Sequence, residues 1–276
     1  MWRDDTDAIG GAAVVTDWWS GGDLPGPNVW VEVRSSHRRQ GAAKQLCVAA
    51  ELWARELGAS AIYGSHGIEQ GAALDAAAAL GFTEHEKASE WDLDVHLVHA
   101  ECDKLVTRLE QRGRSRTESF RVHPAAEWTQ KQREVVSLKH AEVLGGSPAD
   151  IAVRLDPAHP NAFSGLVSTA VFDERGGLAA AALVATGRRR GEAHAMVEGL
   201  FTLPDFRLSV VTPLLQRAVA SAYQKLGGRV FTMATMDRHR DTRRQAERLG
   251  PIAARHLFRP FKVLAASGDQ ERGSID

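Results

Sequence analysis

Apolar positions alternate with polar ones, or recur at helical spacing, along the first ninety residues of the chain. Residues 8–19 and 28–34 are rich in β-branched and aromatic side chains and predict two strands. Within 42–57 apolar residues recur every three or four positions, which predicts a helix that Gly58 ends. The pattern continues with a short strand, an alanine-rich helix and a last strand pair: 61–63, 69–80 and 82–95.

A second series of elements follows the same order. Helices are predicted at 126–144, 210–226 and 240–249. Strands are predicted at 165–172, 179–185, 194–202, 229–235 and 252–264, with a tight turn at 173–177. Leu57-Gly58 recurs as Leu226-Gly227, and Leu80-Gly81 recurs as Leu249-Gly250. A repeat of such long period indicates a duplicated domain. We expect modules at 1–96 and 97–264, joined near the polar run 110–116, and a disordered tail at 265–276.

Composition excludes several classes of function. The chain has 276 residues, 43% hydrophobic content and a net charge of -1, so no overall field attracts nucleic acid or an anionic membrane. No apolar run is long enough to cross a bilayer, and the N-terminus lacks the apolar core of a signal peptide. Two cysteines do not form a disulfide framework. These features favour a cytoplasmic protein.

The segment between the second strand and the first helix carries the strongest chemical signal. It reads Arg38-Arg39-Gln40-Gly41-Ala42-Ala43. The N–H groups of a first helical turn have no partner in the helix and, with the helix dipole, attract anions. Gly41 permits close approach to the backbone, the alanines are small, and the arginines add positive charge. We expect a phosphate or pyrophosphate here, although the spacing matches neither a P-loop nor the dinucleotide motif.

The pattern Arg-x-x-Gly-x-Ala at positions 38, 41 and 43 resembles the signature of the GNAT superfamily of N-acetyltransferases, Gln/Arg-x-x-Gly-x-Gly/Ala at a strand-to-helix junction. The preceding strand, the helix ending in Leu-Gly and the later Leu80-Gly81-Phe82 match as well. The resemblance covers 8–95 well and 120–264 more weakly. It implies an α/β chain of two GNAT-like modules, each a mixed twisted sheet flanked by helices.

The resemblance also implies acetyl-coenzyme A as co-substrate, without a metal. The backbone from Val33 to Ser35 would pair with the pantetheine arm, and the amides of residues 39–43 would hold the pyrophosphate. The cofactor-binding residues implied in this way are Val33, Arg34, Ser35, Arg38, Arg39, Gln40, Gly41, Ala42 and Ala43.

The second module departs from this pattern. Arg207 matches Arg38, but Val210 stands where Gly41 does, and a β-branched side chain there disfavours positive φ and fills the place of a pyrophosphate. We expect the second module not to bind the coenzyme well. The family also places a strand and two helices before the strand at 28–34, where they form one wall of the acceptor site. The second module, another subunit or sequence upstream of Met1 would have to supply that wall.

Candidate catalytic groups follow from the chemistry of amine acetylation. An ammonium ion must lose a proton before it attacks a thioester. Glu32, on the strand beside the expected thioester, is the first candidate base; His66 is a rival and Asp17 a further option. An ordinary solvent-facing strand residue remains an equal interpretation of Glu32.

The leaving thiolate lacks its usual acid. In the family a tyrosine four residues before the glycine of Leu-Gly-Phe protonates the thiolate, and this chain has Ala77 there and Ala246 in the second module. Tyr63 could replace it, although a packed strand tyrosine is the commoner role. A thiol with a pKa near about 8.5 can also leave unassisted.

Two functions therefore remain open. The first is an N-acetyltransferase acting on a primary amine of a small molecule, with a possible homodimer and with neither nucleic acid nor membrane as partner. The second is a non-catalytic acyl-coenzyme A sensor or assembly subunit, which the missing tyrosine and the altered second loop favour. His96 and His99 have no second pair at zinc spacing, and the run 188–190 is typical of a solvated hairpin tip.

Overall fold

The computed structural model describes residues 1–3, 7–20, 24–65, 67–113, 117–189, 192–207, 209–236 and 240–264. The strands in these ranges are β1 Trp2–Arg3, β2 Ile9–Ser20, β3 Gly26–Val33, β4 Ala61–Gly64, β5 Ile68–Glu69, β6 Thr83–Asp94, β7 Phe120–Pro124, β8 Thr169–Asp173, β9 Leu178–Arg189, β10 Glu192–Thr202, β11 Val230–Met236 and β12 Ala253–Val263. The α-helices are α1 Ala42–Glu56, α2 Ala72–Ala79, α3 Val95–Gln111, α4 Gln130–Leu144, α5 Pro148–Arg154, α6 Val211–Lys225 and α7 Arg240–Arg248. Helices and a mixed sheet make this an α/β protein, as the sequence predicts.

The chain divides into two compact units. The first contains Met1–Ala88 together with the chain from His256 onward, and the second contains Ser89–Arg255. Both divisions fall inside a strand, in β6 and in β12. The units thus differ from the expected ranges 1–96 and 97–264, because β12 returns to the first unit through pairing with a strand that is distant in sequence. The expected tail 265–276 lies outside the described residues.

In the first unit, β2 and β3 pair antiparallel, with Gly11 opposite Val33. β3 then pairs parallel with β4, where Asn28 lies opposite Tyr63, and β12 pairs antiparallel with β4 on its other side. Helix α1 covers one face of this sheet. The core beneath it contains small and β-branched side chains, which allow close packing: Val29, Ala50, Ala54, Ala59 and Ile62.

In the second unit, strands β7 to β10 pair antiparallel in chain order, and β10 pairs parallel with β11. Helices cover both faces of this sheet. The α6 face is buried in one apolar cluster that includes Val211, Leu215 and Val219. The opposite face is buried in a second cluster with Trp128, Val136 and Ile151, which belong to the segment containing α4 and α5.

The structure confirms the duplication residue by residue. Strands β2 and β9 each have 12 residues, and helices α1 and α6 each have 15. In these elements equivalent positions are 169 residues apart, as Ala42 and Val211 are at the starts of the two helices. Both helices end at a glycine with φ of 79°, Gly58 and Gly227. The Leu-Gly pairs that indicated the repeat are therefore equivalent helix ends in two copies of one fold.

Several elements differ from the sequence-based expectation. The connector expected at 110–116 is preceded by helix α3, whose first turn Asp94 caps by accepting hydrogen bonds from the N–H groups of His96 at 2.7 Å and Leu97 at 3.2 Å. The strand pair expected from Phe82 is one continuous strand, β6. Strand β7 and helix α5 were not expected. No helix in the described ranges is both long and apolar enough to span a membrane.

Candidate functional site

Two parallel strands separate at the centre of the first unit. Pairing between β3 and β4 ends where Ser65 donates its N–H to the carbonyl of Val29 at 3.0 Å, and β4 stops at Gly64. β3 continues to Val33, and in the described part of the chain its last four residues pair only with β2. Because backbone groups alternate sides along a strand, Val31 and Val33 present their N–H and C=O groups to this open edge. An extended polar chain could pair there in place of the missing strand.

The loop after β3 presents a row of free backbone donors. Residues Ser35–His37 form a 3-10 turn, and helix α1 begins after Gly41. Arg39 and Gly41 both have positive φ, 64° and 82°, and alternation of such residues with right-handed ones forms a concave anion-binding nest. Within the described chain, no acceptor contacts the N–H groups of residues 39–44.

Gly41 leaves this nest open. A Cβ atom built on Gly41 would meet no heavy atom within 4 Å, so the space in front of the backbone is free. The first helical residue, Ala42, is buried, whereas the loop residues 38–41 are exposed. The helix dipole of the 15-residue α1 adds partial positive charge at the same place. An anion could therefore reach several backbone donors at once.

Positive side chains surround the loop. Arg34, Arg38, Arg39 and Lys44 are all exposed, and no carboxylate among the described residues pairs with them. The Nε atom of Arg38 donates to the carbonyl of Val33 at 3.3 Å, so this guanidinium lies over the end of the open strand edge. The cofactor residues expected from the sequence thus lie along one segment, from Val33 to Ala43, and Ala42 alone among them is buried.

The candidate base Glu32 is exposed on β3, between the open-edge residues Val31 and Val33. Its backbone pairs with Ala12 of β2, so its side chain projects from the face of the sheet rather than along the open edge. No ion pair with Glu32 is found among the described residues. The carboxylate of Glu32 therefore lies beside the open edge of β3.

Tyr63 is buried on β4, with 1% of its surface exposed. Its hydroxyl donates to the carbonyl of Leu24 at 2.8 Å, and its ring packs against Phe261 with centroids 5.5 Å apart. Burial raises the pKa of the Tyr63 hydroxyl, while the charge of Arg259, which lies over the ring, lowers it. The structure thus gives Tyr63 a packing role, and its proton is directed to the backbone.

The C-terminal strand supplies cations that the sequence did not assign to this unit. Arg259 donates to the carbonyl of Gly64 at 3.2 Å and to the side chain of Asn28, which fixes the point where β3 and β4 separate. Lys262 donates to Glu51 of α1 at 2.6 Å and to the carbonyl of Leu80 at 2.9 Å. Both residues act on the first unit because β12 pairs with β4.

Other expected groups have different outcomes. His66 and the side chain of Asp17 lie outside the described residues. Ala77 is half-buried in α2, and Ala246 is fully buried in α7, so neither position offers a proton. His96 and His99 lie on α3, and the described residues contain no cluster of three or more His, Cys, Asp or Glu that could hold a metal.

Trp2 contributes to this site although no pattern in the sequence indicated it. Its indole N–H donates to Gln45 Oε1 of α1 at 3.1 Å, and its ring lies edge-on to His37 with centroids 5.7 Å apart. A Cβ atom at Gly10 would come within 2.4 Å of that ring. Trp2 therefore packs behind the loop that carries the free donors, and only its aromatic character in a short N-terminal segment could have indicated this.

The equivalent loop of the second unit is closed. Val210 has φ of -68° and is fully buried, so the backbone has no left-handed residue where Gly41 stands. The hydroxyl of Ser209 accepts the N–H of Val211 at 3.2 Å, which uses one of the donors of the helix start. The hydroxyls of Thr202 and Thr212 contact each other at 2.8 Å across the same loop.

Comparison with known proteins agrees with this geometry. Residues 1–82 match the family model described as acetyltransferase (GNAT) family. No curated protein sequence matches the chain. A tandem GNAT protein from the clavulanic acid biosynthesis pathway, solved without AcCoA, is similar in structure with a TM-score of 0.59 and 14% identity, over 94% of this chain and 85% of that one.

Two further solved structures are similar. A GCN5-related N-acetyltransferase from Sphaerobacter thermophilus has a TM-score of 0.60 and 12% identity, over 96% of this chain and 80% of that one. One from Kribbella flavida has a TM-score of 0.54 and 14% identity, over 95% of this chain, which spans 59% of its length.

The fold is therefore that of a tandem GNAT protein, in which one α/β module occurs twice. More particularly, the N-terminal module carries the sequence of the acetyltransferase (GNAT) family, so the resemblance of the Arg-x-x-Gly-x-Ala loop is confirmed.

Proposed function

We propose that the first module binds acetyl-coenzyme A and transfers its acetyl group to a primary amine of a small molecule. The observation that carries the proposal is the continuity of two features: the edge of β3 at Val31 and Val33, which pairs with no strand in the described part of the chain, and the free N–H groups of residues 39–44. A pantetheine arm has amides that can pair with such an edge, and a pyrophosphate fits such a nest. Four exposed cations, Arg34, Arg38, Arg39 and Lys44, complement the phosphate charge.

The chemistry follows from these positions. The amine nitrogen attacks the thioester carbonyl carbon, the carbon–sulfur bond breaks, and coenzyme A leaves as a thiolate. The N–H of Val31 on the open edge would stabilise the negative oxygen that develops in between. Glu32 would take the proton that the amine loses, directly or through water, and solvent would protonate the thiolate.

A second function is favoured by one observation. At the positions where the family has its tyrosine this chain has Ala77 and Ala246, and among the described residues the Tyr63 hydroxyl already donates to the carbonyl of Leu24. A non-catalytic acyl-coenzyme A sensor would need only the loop and the open edge. Both functions share the binding site, so they differ only in turnover.

The test is the release of free thiol from acetyl-coenzyme A by the full chain, over a panel of primary amines, with mass spectrometry of the amine products. The proposal predicts amine-dependent thiol release and an acetylated product. Replacing Glu32 by Gln, which keeps the shape and removes the base, should lower kcat/KM by about 10²-fold or more, with the acetyl-coenzyme A Kd unchanged. Tight coenzyme binding with no turnover on any amine would instead support the sensor.

A further inference from the structure

One face of the first unit's sheet is open where the same face of the second unit is closed. In β2 and β3, Val14 lies opposite Trp30 and Ala12 lies opposite Glu32. The positions 169 residues later form the same cross-strand pairs in β9 and β10: Leu183 with Gly199, and Ala181 with Phe201. The two faces are therefore equivalent at these cross-strand pairs.

The second unit buries these positions completely. Leu183 is 0% and Phe201 3% exposed, within the apolar cluster that also contains Trp128 and Val136. Gly199 allows this close packing, because a Cβ atom there would come within 2.3 Å of the Nε2 atom of His140 on α4. A side chain at this position would force His140 of α4 to move.

The first unit has tryptophan at that position. Trp30 is 47% exposed and its partner Val14 is 44% exposed, although both are large apolar residues that folding would otherwise bury. Beside them the exposed carboxylate of Glu32 has no ion-pair partner among the described residues. An aromatic face next to a free carboxylate is suited to a cation attached to an apolar body, because the ring attracts the cation and the carboxylate neutralises it.

We propose that Val14, Trp30 and Glu32 form the acceptor subsite, and that the acceptor is an organic ammonium ion with an aromatic or other flat apolar body. This rests on the proposed acetyl transfer, since the residues that flank Glu32 on β3, Val31 and Val33, present the open edge assigned to the coenzyme. Glu32 binds the ammonium group and then takes its proton, the amine attacks the thioester carbon, and coenzyme A leaves as thiolate. The apolar body rests on Trp30 and Val14.

Three probe amines separate the contributions of charge and body: 2-phenylethylamine, ethylamine, which lacks the ring, and phenylalanine, which adds a carboxylate. We expect kcat/KM for 2-phenylethylamine to exceed that for ethylamine by about tenfold or more, and phenylalanine to be the poorer aromatic substrate because its carboxylate approaches Glu32. Titration of 2-phenylethylamine into the chain saturated with coenzyme A measures binding without turnover.

Two variants test the named residues. Trp30→Ala should raise KM for 2-phenylethylamine about tenfold and leave that for ethylamine and the acetyl-coenzyme A Kd unchanged. Trp53→Ala is the matched control, because Trp53 is 50% exposed but lies on α1. Glu32→Gln should weaken binding of 2-phenylethylamine in the same titration.

The outcomes are distinguishable. Failure to bind acetyl-coenzyme A would overturn the proposed function itself. Normal coenzyme binding with no binding of 2-phenylethylamine, or with equal KM values for the three amines, would overturn the acceptor subsite alone. A Trp30→Ala chain whose KM values are normal but whose molar mass in light scattering has changed would show that this face joins two copies of the chain, which also overturns the subsite.

Discussion

Gly41 and Val210 occupy the same position in two copies of one loop, and their backbones are of opposite hand, with φ of 82° at Gly41 and -68° at Val210. The left-handed residue turns the N–H groups of the first loop outward, into space that no atom fills. Val210 has a right-handed, helical backbone at the N-terminus of α6, and its side chain is buried. One difference in residue type thus separates a loop that can bind an anion from one that serves packing.

The ion pair between Lys262 and Glu51 connects the C-terminal strand to helix α1 of the first unit. Glu51 is 8% exposed, so Lys262→Met leaves a largely buried carboxylate with only Arg55, at 3.7 Å, as its cation. We expect the free energy of unfolding in urea to fall by about 2 kcal/mol, because Arg55 still neutralises part of the charge. The double variant Glu51→Leu with Lys262→Met should recover most of this loss.

The exposed pair Lys104 and Glu101 on α3 is the control. Its side chains are 64% and 44% exposed, so Lys104→Met should cost no more than about 0.5 kcal/mol. Equal losses for Lys262→Met and Lys104→Met would show that the C-terminal strand does not depend on its buried pair.

Both cysteines should be unreactive in the folded chain. Burial raises the pKa of the Cys102 thiol to about 12, and burial followed by the charge of Glu51 raises the pKa of Cys47. At pH 8 only about one Cys102 thiol in 10⁴ is then ionised. We expect Ellman's reagent to modify native protein at least 100-fold more slowly than protein unfolded in guanidinium, where both thiols react. Rapid modification of the native chain would contradict this burial.

His140 makes the stability of the second unit depend on pH. Desolvation lowers the pKa of this buried imidazole and outweighs the Gly145 backbone, which raises it; the Nδ1 atom has no hydrogen-bond partner among the described residues. The unfolded chain binds a proton at this histidine more readily than the folded chain does. The free energy of unfolding therefore has its full value above pH about 6.5 and decreases as the pH falls below that value.

Replacing His140 by Leu removes the titrating group. Between pH 7 and 5.5 the free energy of unfolding should fall less steeply with acid in His140→Leu than in the wild type, by up to one proton. Ser137→Ala changes a buried polar residue one turn away on α4 that does not titrate, and should keep the wild-type slope. Identical slopes for the wild type and His140→Leu would refute the assignment.

Local signals in the sequence predicted the elements that build the loop. The helix ends at Gly58 and Gly227, and the strand before Gly41, follow from short patterns that the structure confirms. Helix α3 was not predicted, because the polar run after it indicated a connector. Its buried residues nevertheless recur at helical spacing: Val95, Val98, Cys102 and Val106.

Non-local pairing could not be predicted from the sequence. The return of β12 to pair with β4 brings Arg259 beside Gly64, and no local pattern records a partner almost two hundred residues away. The open face at Trp30 depends likewise on the register of β2 against β3 and on comparison with Gly199. The side chain of Trp30 alone would have indicated an ordinary strand residue.

Isothermal titration of the full chain with acetyl-coenzyme A tests the central claim most directly. The wild type should bind one coenzyme per chain, and Gly41→Val should abolish that binding by placing a side chain in the nest and opposing its positive φ. Gly58→Val is the matched control, because Gly58 has φ of 79° and equally free space at the far end of the same helix, so it carries the same strain without touching the loop. We predict one binding site per chain in the wild type and in Gly58→Val, and no binding to Gly41→Val. The account would be contradicted by two sites per chain, or by unchanged binding to Gly41→Val.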